Sequence, residues 1–148
     1  MTSRATVACV IRAGIERDAL EPLLREADKL ASHLGGQPGP GSLRQVAAVA
    51  SALSNELLVH LENEERDVYP VVFGDELRPA VDMLVLDHEA IRGAVRRLES
   101  AIELARATDF EHCEPVARAL GALVVLVRAH HAKEGYLYVR TMATPDDL

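Results

Sequence analysis

The sequence contains no tryptophan, and aromatic residues make up only 3% of its 148 residues. Its nine glycines and seven prolines cluster at a handful of positions and do not recur at the regular spacing of turns between strands. Sandwiches and barrels need strands rich in aromatic and β-branched residues with such turns, so this composition argues against them. The length is that of one domain with a sizeable core, and we expect a single domain over residues 1–148.

Other absences restrict location and partners. The apolar runs are too short for a membrane span, and no clear cleavage site follows a basic start near the N-terminus, so a cytoplasmic protein is expected. The net charge is -7, and no stretch is dense in Lys and Arg. Neither a membrane nor a nucleic acid is therefore expected as a partner. Cys9 and Cys113 lack metal-binding spacing, which favours thiols in a reducing compartment.

Apolar residues at helical spacing are abundant, at 49% of the chain. Stripes in alternating steps of three and four predict long helices, and their short connections favour antiparallel neighbours. Four helices are expected: from near Ser3 to Gly35-Gly36, from an N-cap at Ser42 to about Tyr69 and Pro70, from about Leu77 to Thr108 and Asp109, and from about Pro115 to before Pro145. Pro22 predicts a kink or a late start in the first helix. The fold class is thus all-α, an up-down-up-down four-helix bundle.

The helical periodicity places several polar side chains among apolar core positions. His60 and Glu64 lie four residues apart in the second helix, so they share one face and continue its apolar stripe. His130 and Glu134 repeat this pair in the fourth helix, and His88 is the polar member of the third helix's stripe. The sequence therefore predicts three imidazoles and two carboxylates facing the core.

In an antiparallel bundle, residues equally distant from a shared turn lie at one height, and this rule places all five side chains in one layer. Glu16 of the first helix falls at the same level. Burying ionised carboxylates costs several kcal/mol each unless they are compensated, and no Lys or Arg occupies a nearby stripe position. A bound cation is the expected counter-charge. Imidazole with carboxylate suits iron, zinc or manganese. Carboxylates on a helical bundle suit a site with two metal ions, and we favour two irons.

These residues resemble a known family. His60-x-x-x-Glu64, His88 and His130-x-x-x-Glu134 are similar to the H-HxxxE-H-HxxxE pattern of the hemerythrin-like proteins, and the likeness covers nearly the whole chain. The resemblance implies that the three histidines are terminal ligands of two non-haem irons. It also implies that the two glutamates bridge the irons together with an oxo or hydroxo group. The centre would then bind or react with O2, NO or peroxide.

Two departures from the family pattern bear on function. The first-helix histidine is absent, and Glu16 is the residue that the stripe offers as a ligand in its place. Leu84 stands where oxygen carriers have an additional histidine. Fewer imidazoles and more carboxylate should stabilise ferric iron, which argues for sensing or redox reaction over reversible O2 carriage. The other interpretation of Glu16 is a solvated glutamate near a helix start.

Several alternatives stay open at this point. His131 competes with His130, although the stripe prefers His130, and Tyr69 and Tyr138 either reach the metals or cap the end of the bundle. A metal-free network of His and Glu hydrogen bonds is the other interpretation of the layer. Two functions stay open for the same site, which are catalase-like peroxide disproportionation and sensing through an unknown protein partner. The alternative of a different class is a structural or iron-storage bundle.

The oligomeric state is a separate expectation. The chain is expected to be a monomer or a homodimer.

Overall fold

The computed structural model describes residues 3–34, 40–108 and 113–143. Four long helices dominate it, and the described residues contain no strand, so the predicted all-α bundle is confirmed. The elements in chain order are α1 (Arg4–Leu34), α2 (Pro40–Asn63), a π-helix (Glu64–Val68), α3 (Tyr69–Val72), a 3-10 turn (Asp75–Leu77), α4 (Arg78–Ala107) and α5 (Glu114–Met142).

The long helices form a closed ring in which α1 packs on α2 and α5, and α4 packs on α5 and α2. The direction of α1 and α2 can be read from two contacts between them. Gln45 Nε2 lies 3.4 Å from a carboxylate oxygen of Glu26, and His60 Nδ1 lies 3.0 Å from Glu16. Residue numbers rise along α2 as they fall along α1, so the two helices are antiparallel.

Several predicted boundaries differ in the structure. α1 is continuous through Pro22, so a late start is wrong. α2 begins at Pro40, which makes Ser42 a residue inside the helix and not its N-cap. Proline lacks an N–H and has a fixed φ, which suits the first turn of a helix. The predicted breaks at Gly35, Gly36, Asp109 and Pro145 lie outside the described residues.

Helical structure continues past Pro70 to Val72, and a π-helix interrupts the α-helical hydrogen bonding between Glu64 and Val68. The N–H of Tyr69 donates to the carbonyl of Glu64, five residues earlier, which is the hydrogen bond of a π-helix. The wide turn adds one residue, so the buried face moves from Glu64 and Val68 to Tyr69 and Val72, while Val71 is 45% exposed. Tyr69 thereby faces the interior of the bundle.

The buried residues form two apolar cores. The large core lies between residues 20–34, 43–61, 91–105 and 113–127 of the four long helices. The end core consists of Ala13, Val68, Tyr69, Val72, Phe73, Leu84 and Tyr138. The polar layer of His60, Glu64, His88, His130 and Glu134 lies where these two cores meet.

Two features noted in the sequence bear on the rest of the molecule. Among the described helices, none is both long and apolar enough to cross a membrane. No disulfide joins Cys9 to Cys113, and both of these residues are described.

Candidate metal centre

The structure brings together the three histidines and two glutamates that the stripes predict. All five side chains are at most 3% exposed. His60 Nε2 lies 2.9 Å from Glu64 Oε1, and His88 Nε2 lies 3.3 Å from the other oxygen of the same carboxylate. His130 Nε2 lies 2.9 Å from His88 Nε2 and 3.5 Å from Glu134 Oε1. Each histidine therefore turns its Nε2 towards the two carboxylates.

The potential ligand atoms fall into two groups with one shared member. Glu64, His88, His130 and Glu134 each offer an atom within 4.8 Å of the others, and so do His60, His131 and Glu134. Glu134 belongs to both groups. Glu64 also spans the layer, because one of its oxygens faces His60 and the other faces His88.

A carboxylate lies behind each of the three predicted histidines. Nδ1 of His60 lies 3.0 Å from Glu16, that of His88 lies 2.6 Å from Glu65, and that of His130 lies 3.4 Å from Asp87. A carboxylate oxygen accepts hydrogen bonds, so each Nδ1 carries the proton. This arrangement fixes the ring and directs the Nε2 lone pair of a neutral imidazole inwards, as in metal-ligating histidines.

Each of these outer carboxylates is itself close to a cation. Arg92 lies 3.0 Å from Glu65, and Lys133 lies 2.8 Å from Asp87. Burial raises the pKa of both carboxyl groups, but hydrogen bonds and charge from these cations and from the histidines outweigh it and hold each pKa below its ordinary value. Glu65 and Asp87, the acceptors behind His88 and His130, therefore stay ionised at neutral pH.

The structure places the predicted ligand Glu16 beside His60 and outside both donor groups. Its side chain is 27% exposed, with one oxygen 3.0 Å from His60 Nδ1 and the other 3.9 Å from Arg12. In this arrangement Glu16 stands in the same relation to His60 as Glu65 does to His88.

Within the described part of the chain, four buried polar atoms of this layer form no hydrogen bond of good geometry, and they provide a test of whether the residues fit a metal. They are Nε2 of His60 and His131, Oε1 of Glu64 and Oε2 of Glu134. A buried polar atom without a partner costs about 1 to 3 kcal/mol, against about 5 to 15 kcal/mol for the stability of a whole domain. Among the described residues, no Lys or Arg forms an ion pair with Glu64 or Glu134. Imidazole nitrogens and carboxylate oxygens are suitable donors for iron, zinc or manganese, so the set fits a cation.

The comparisons with known proteins agree with this geometry. The family model described as the Hemerythrin HHE cation binding domain matches residues 16–140. The chain belongs to the hemerythrin HHE family. No curated protein and no solved structure matches it. The match spans every residue of the polar layer, and it makes this chain a hemerythrin-family bundle with a buried His and Glu cluster that can hold metal.

The protonation of the hemerythrin-family cluster without metal follows from its contacts. Burial lowers the pKa of His130, but Glu134 and Glu64 outweigh it and raise this pKa to about 9. Burial raises the pKa of Glu64, but hydrogen bonds from His130, His60 and His88 hold it well below the ordinary value. His130 is thus cationic at neutral pH and can donate its Nε2 proton to His88, 2.9 Å away. In the metal-free protein, a proton supplies part of the missing positive charge.

Three side chains reach the centre of this hemerythrin-family bundle although the stripes did not select them. The hydroxyl of the first, Tyr138, lies 3.5 Å from Glu134 Oε1. The Tyr69 hydroxyl donates to Glu134 Oε1 at 2.5 Å and lies 3.1 Å from His88 Nε2. Burial and the charges of Glu134 and Glu64 raise its pKa, so the phenol keeps its proton. His131 joins His60 and Glu134 in the second donor group. The sequence signal for His131 is its position three residues before Glu134.

The outer carboxylates lead to a first prediction. Glu65→Ala should weaken metal binding about tenfold to a hundredfold, because His88 loses the acceptor that orients its ring. Glu89→Ala is the matched control, since Glu89 is also an ion-pair partner of Arg92, at 2.7 Å, and is 62% exposed. Isothermal titration with Co²⁺ would measure both affinities. Equal affinities in the two variants would show that Glu65 does not position His88.

Proposed function

We propose that this protein holds two non-haem irons in its polar layer and binds or reacts with O2, NO or peroxide, as a sensor or in detoxification, and does not carry O2. The observation that supports two metals is the pair of donor groups joined by Glu134. The two oxygens of Glu64 face different histidines, which is the position that a bridging carboxylate needs.

The residues that would hold the irons are His60, Glu64, His88, His130 and Glu134. Two bound irons would supply exchangeable electrons and coordination positions for a small oxygen or nitrogen ligand. The protein's own residues orient and insulate that site. Outer carboxylates fix the histidine rings, and the end core excludes bulk water from one side of the layer.

Tyr69 contributes a proton at a defined atom. Its hydroxyl donates to Glu134 Oε1, and its raised pKa keeps the proton in place. A hydrogen bond that reduces the charge of this carboxylate weakens it as a donor, so Tyr69 moderates the electron donation from Glu134.

Leu84 supports a reaction or a sensing role over oxygen carriage. Its side chain is 1% exposed and belongs to the end core, one helical turn from His88. It therefore provides an apolar wall where a histidine would provide another donor. A set with fewer imidazoles relative to carboxylates favours ferric iron, whereas reversible O2 carriage needs a stable ferrous state.

A surface groove between α1 and α2 reaches the layer from solvent. It is lined by Glu16, Leu20, Val59 and His60, among others. His60 is only 3% exposed in this groove, which leaves little room beside it for a larger molecule. This favours a diatomic ligand or peroxide over a larger substrate.

The proposal predicts the metal content and the spectrum of the protein. Protein purified without added metal should contain about two irons per chain and show near-ultraviolet and visible absorption of a bridged ferric pair. His60→Ala and His130→Ala should lower both the iron content and the melting temperature, because metal binding is coupled to folding. His33→Ala is the control, since His33 is exposed in α1.

The same preparation distinguishes the candidate functions. Steady O2 evolution from peroxide indicates an enzyme, and a change of absorption with NO or O2 without turnover indicates a sensor. Iron that exchanges freely and reacts with none of these ligands would favour the storage or structural bundle. A colourless protein with one zinc would overturn the di-iron proposal.

A further inference from the structure

His131 is a half-buried side chain beside the layer that the di-iron proposal does not use. Its Nε2 is shielded from solvent and has no hydrogen-bond partner among the residues that the structure describes. Its ring lies 5.6 Å from the His60 ring, centroid to centroid, in an edge-on arrangement. One ligand atom each of His131, His60 and Glu134 falls within 4.8 Å of the others. A lone pair in this position is available to a cation.

The position of His131 on α5 explains why it faces a different group from His130. Consecutive residues of an α-helix point about 100° apart, so neighbouring histidines face different partners. His130 turns towards α4, where its ring lies 4.5 Å from that of His88, and His131 turns towards His60 of α2. The four histidines thus form two pairs, with Glu64 and Glu134 between them.

The first helix supplies a support for His131 and no imidazole of its own at this level. Arg17 Nη1 donates to the backbone carbonyl of His131 at 3.2 Å. The same guanidinium lies 5.3 Å from the ring centroid of Tyr138, which holds it over α5. Arg17 therefore fixes the turn of α5 that carries His131.

The two donor groups are unequal without His131. The group at His88 and His130 has two imidazoles, whereas the group at His60 would have one. With His131, each group has two imidazoles and both glutamates lie between them. Neutral imidazole is the form that binds metal.

We propose that His131 is a metal ligand which pairs with His60 and takes the place of the histidine that the first helix lacks. This inference rests on the proposed metal centre. It assigns Glu16 the role of positioning His60 and gives the cation at His60 the same number of imidazoles as the cation at His88.

The test is a titration of metal-free protein with Co²⁺, and separately with Fe²⁺ under anaerobic conditions. The wild type should bind about two equivalents. His131→Phe keeps a ring of similar size without a donor, and His131→Ala serves as a second variant in case the phenylalanine does not fit. Each should bind one equivalent with nearly unchanged affinity and the other at least about tenfold more weakly. The ligand-field absorption of the Co²⁺ at the weakened position should change as well.

Two controls separate a ligand from a packing residue. The melting temperature of metal-free His131→Phe should stay close to that of the wild type, whereas the stabilisation by added Co²⁺ should fall. Phe at a packing position would leave the metal-induced stabilisation intact. His33→Ala is the control for removing a histidine outside the polar layer.

The outcomes also distinguish this inference from the proposed metal centre. If His60→Ala loses an equivalent and both His131 variants bind two with wild-type affinity, His131 is not a ligand and the metal centre stands. If the wild type binds no Co²⁺ or Fe²⁺, the metal centre itself is refuted, and the inference fails with it.

Discussion

Glu134→Gln is expected to abolish the binding of both cations. Glu134 is fully buried and is the one residue common to the two donor groups. The amide keeps the shape of the side chain and an acceptor oxygen for Tyr69, but it removes the charge, and a neutral amide is a much weaker donor to iron. We expect the affinity for both equivalents to fall more than a hundredfold, a larger effect than that of any single histidine.

The metal-free Glu134→Gln protein should remain folded. His130 keeps Glu64 as a carboxylate neighbour at 3.8 Å, so the substitution leaves no isolated buried charge. Circular dichroism would check the fold, and equilibrium dialysis with Co²⁺ would measure stoichiometry. Glu114→Gln is a suitable control on the same helix, because that side chain is 75% exposed. Retention of one tight equivalent would mean that Glu134 serves only one cation.

Removal of the metal should leave a protein whose stability is highest near pH 6.5 and falls on both sides. Folding raises the pKa of His130 from 6.5 to about 9, so its contribution is complete below pH 6.5 and is lost as the pH rises through 9. Folding lowers the pKa of His131 from 6.5 to about 3. The unfolded chain then takes up a proton below pH 6.5 that the folded chain does not, so stability falls in that direction.

Metal loading should remove the loss of stability on the alkaline side. A cation displaces the proton of His130, so binding strengthens as the pH rises and the stabilisation by metal grows between pH 6.5 and 9. The difference for this one group is at most about 3 kcal/mol. Thermal melts of chelator-treated and Co²⁺-loaded protein across this range would measure it.

Two variants test which histidines cause the pH dependence. His130→Ala should reduce the loss of stability on the alkaline side but leave the part due to His60. Burial lowers the pKa of His60, but Glu64 and Glu16 outweigh it and raise this pKa. His131→Phe should flatten the region between pH 4.5 and 6.5, above the range in which Glu64 contributes. His33→Ala should leave the profile unchanged. A metal-free protein with constant stability between pH 6.5 and 9 would contradict the assigned protonation of His130.

The sequence predicted the fold and the five side chains of the layer because long straight helices keep a constant periodicity. His60, Glu64, His88, His130 and Glu134 all follow steps of three and four, and a residue in such a stripe faces the core wherever the helix packs. The family match and the bundle confirm the fold class. The ligand roles of these residues stay predictions.

The remaining features depend on neighbours that periodicity does not describe. His131 lies beside the stripe, but α5 packs on both α4 and α1, so its buried face is wider than one stripe. Tyr69 reaches the centre because the π-helix shifts the register by one residue. The pairing of Glu16 with His60 depends on how far apart two helices lie, which no spacing along the chain gives.

The division of the apolar interior into a large core and an end core has a consequence for how fast metal is exchanged. A cation held between them is covered at one end by Phe73, Tyr69 and Tyr138, with the rings of Phe73 and Tyr138 stacked 5.5 Å apart. From this side, a chelator larger than a few atoms reaches such an ion after the short end of the bundle opens locally. The exchange half-life should therefore follow the frequency of that opening, so a variant such as Phe73→Ala can release metal quickly while its equilibrium affinity is preserved.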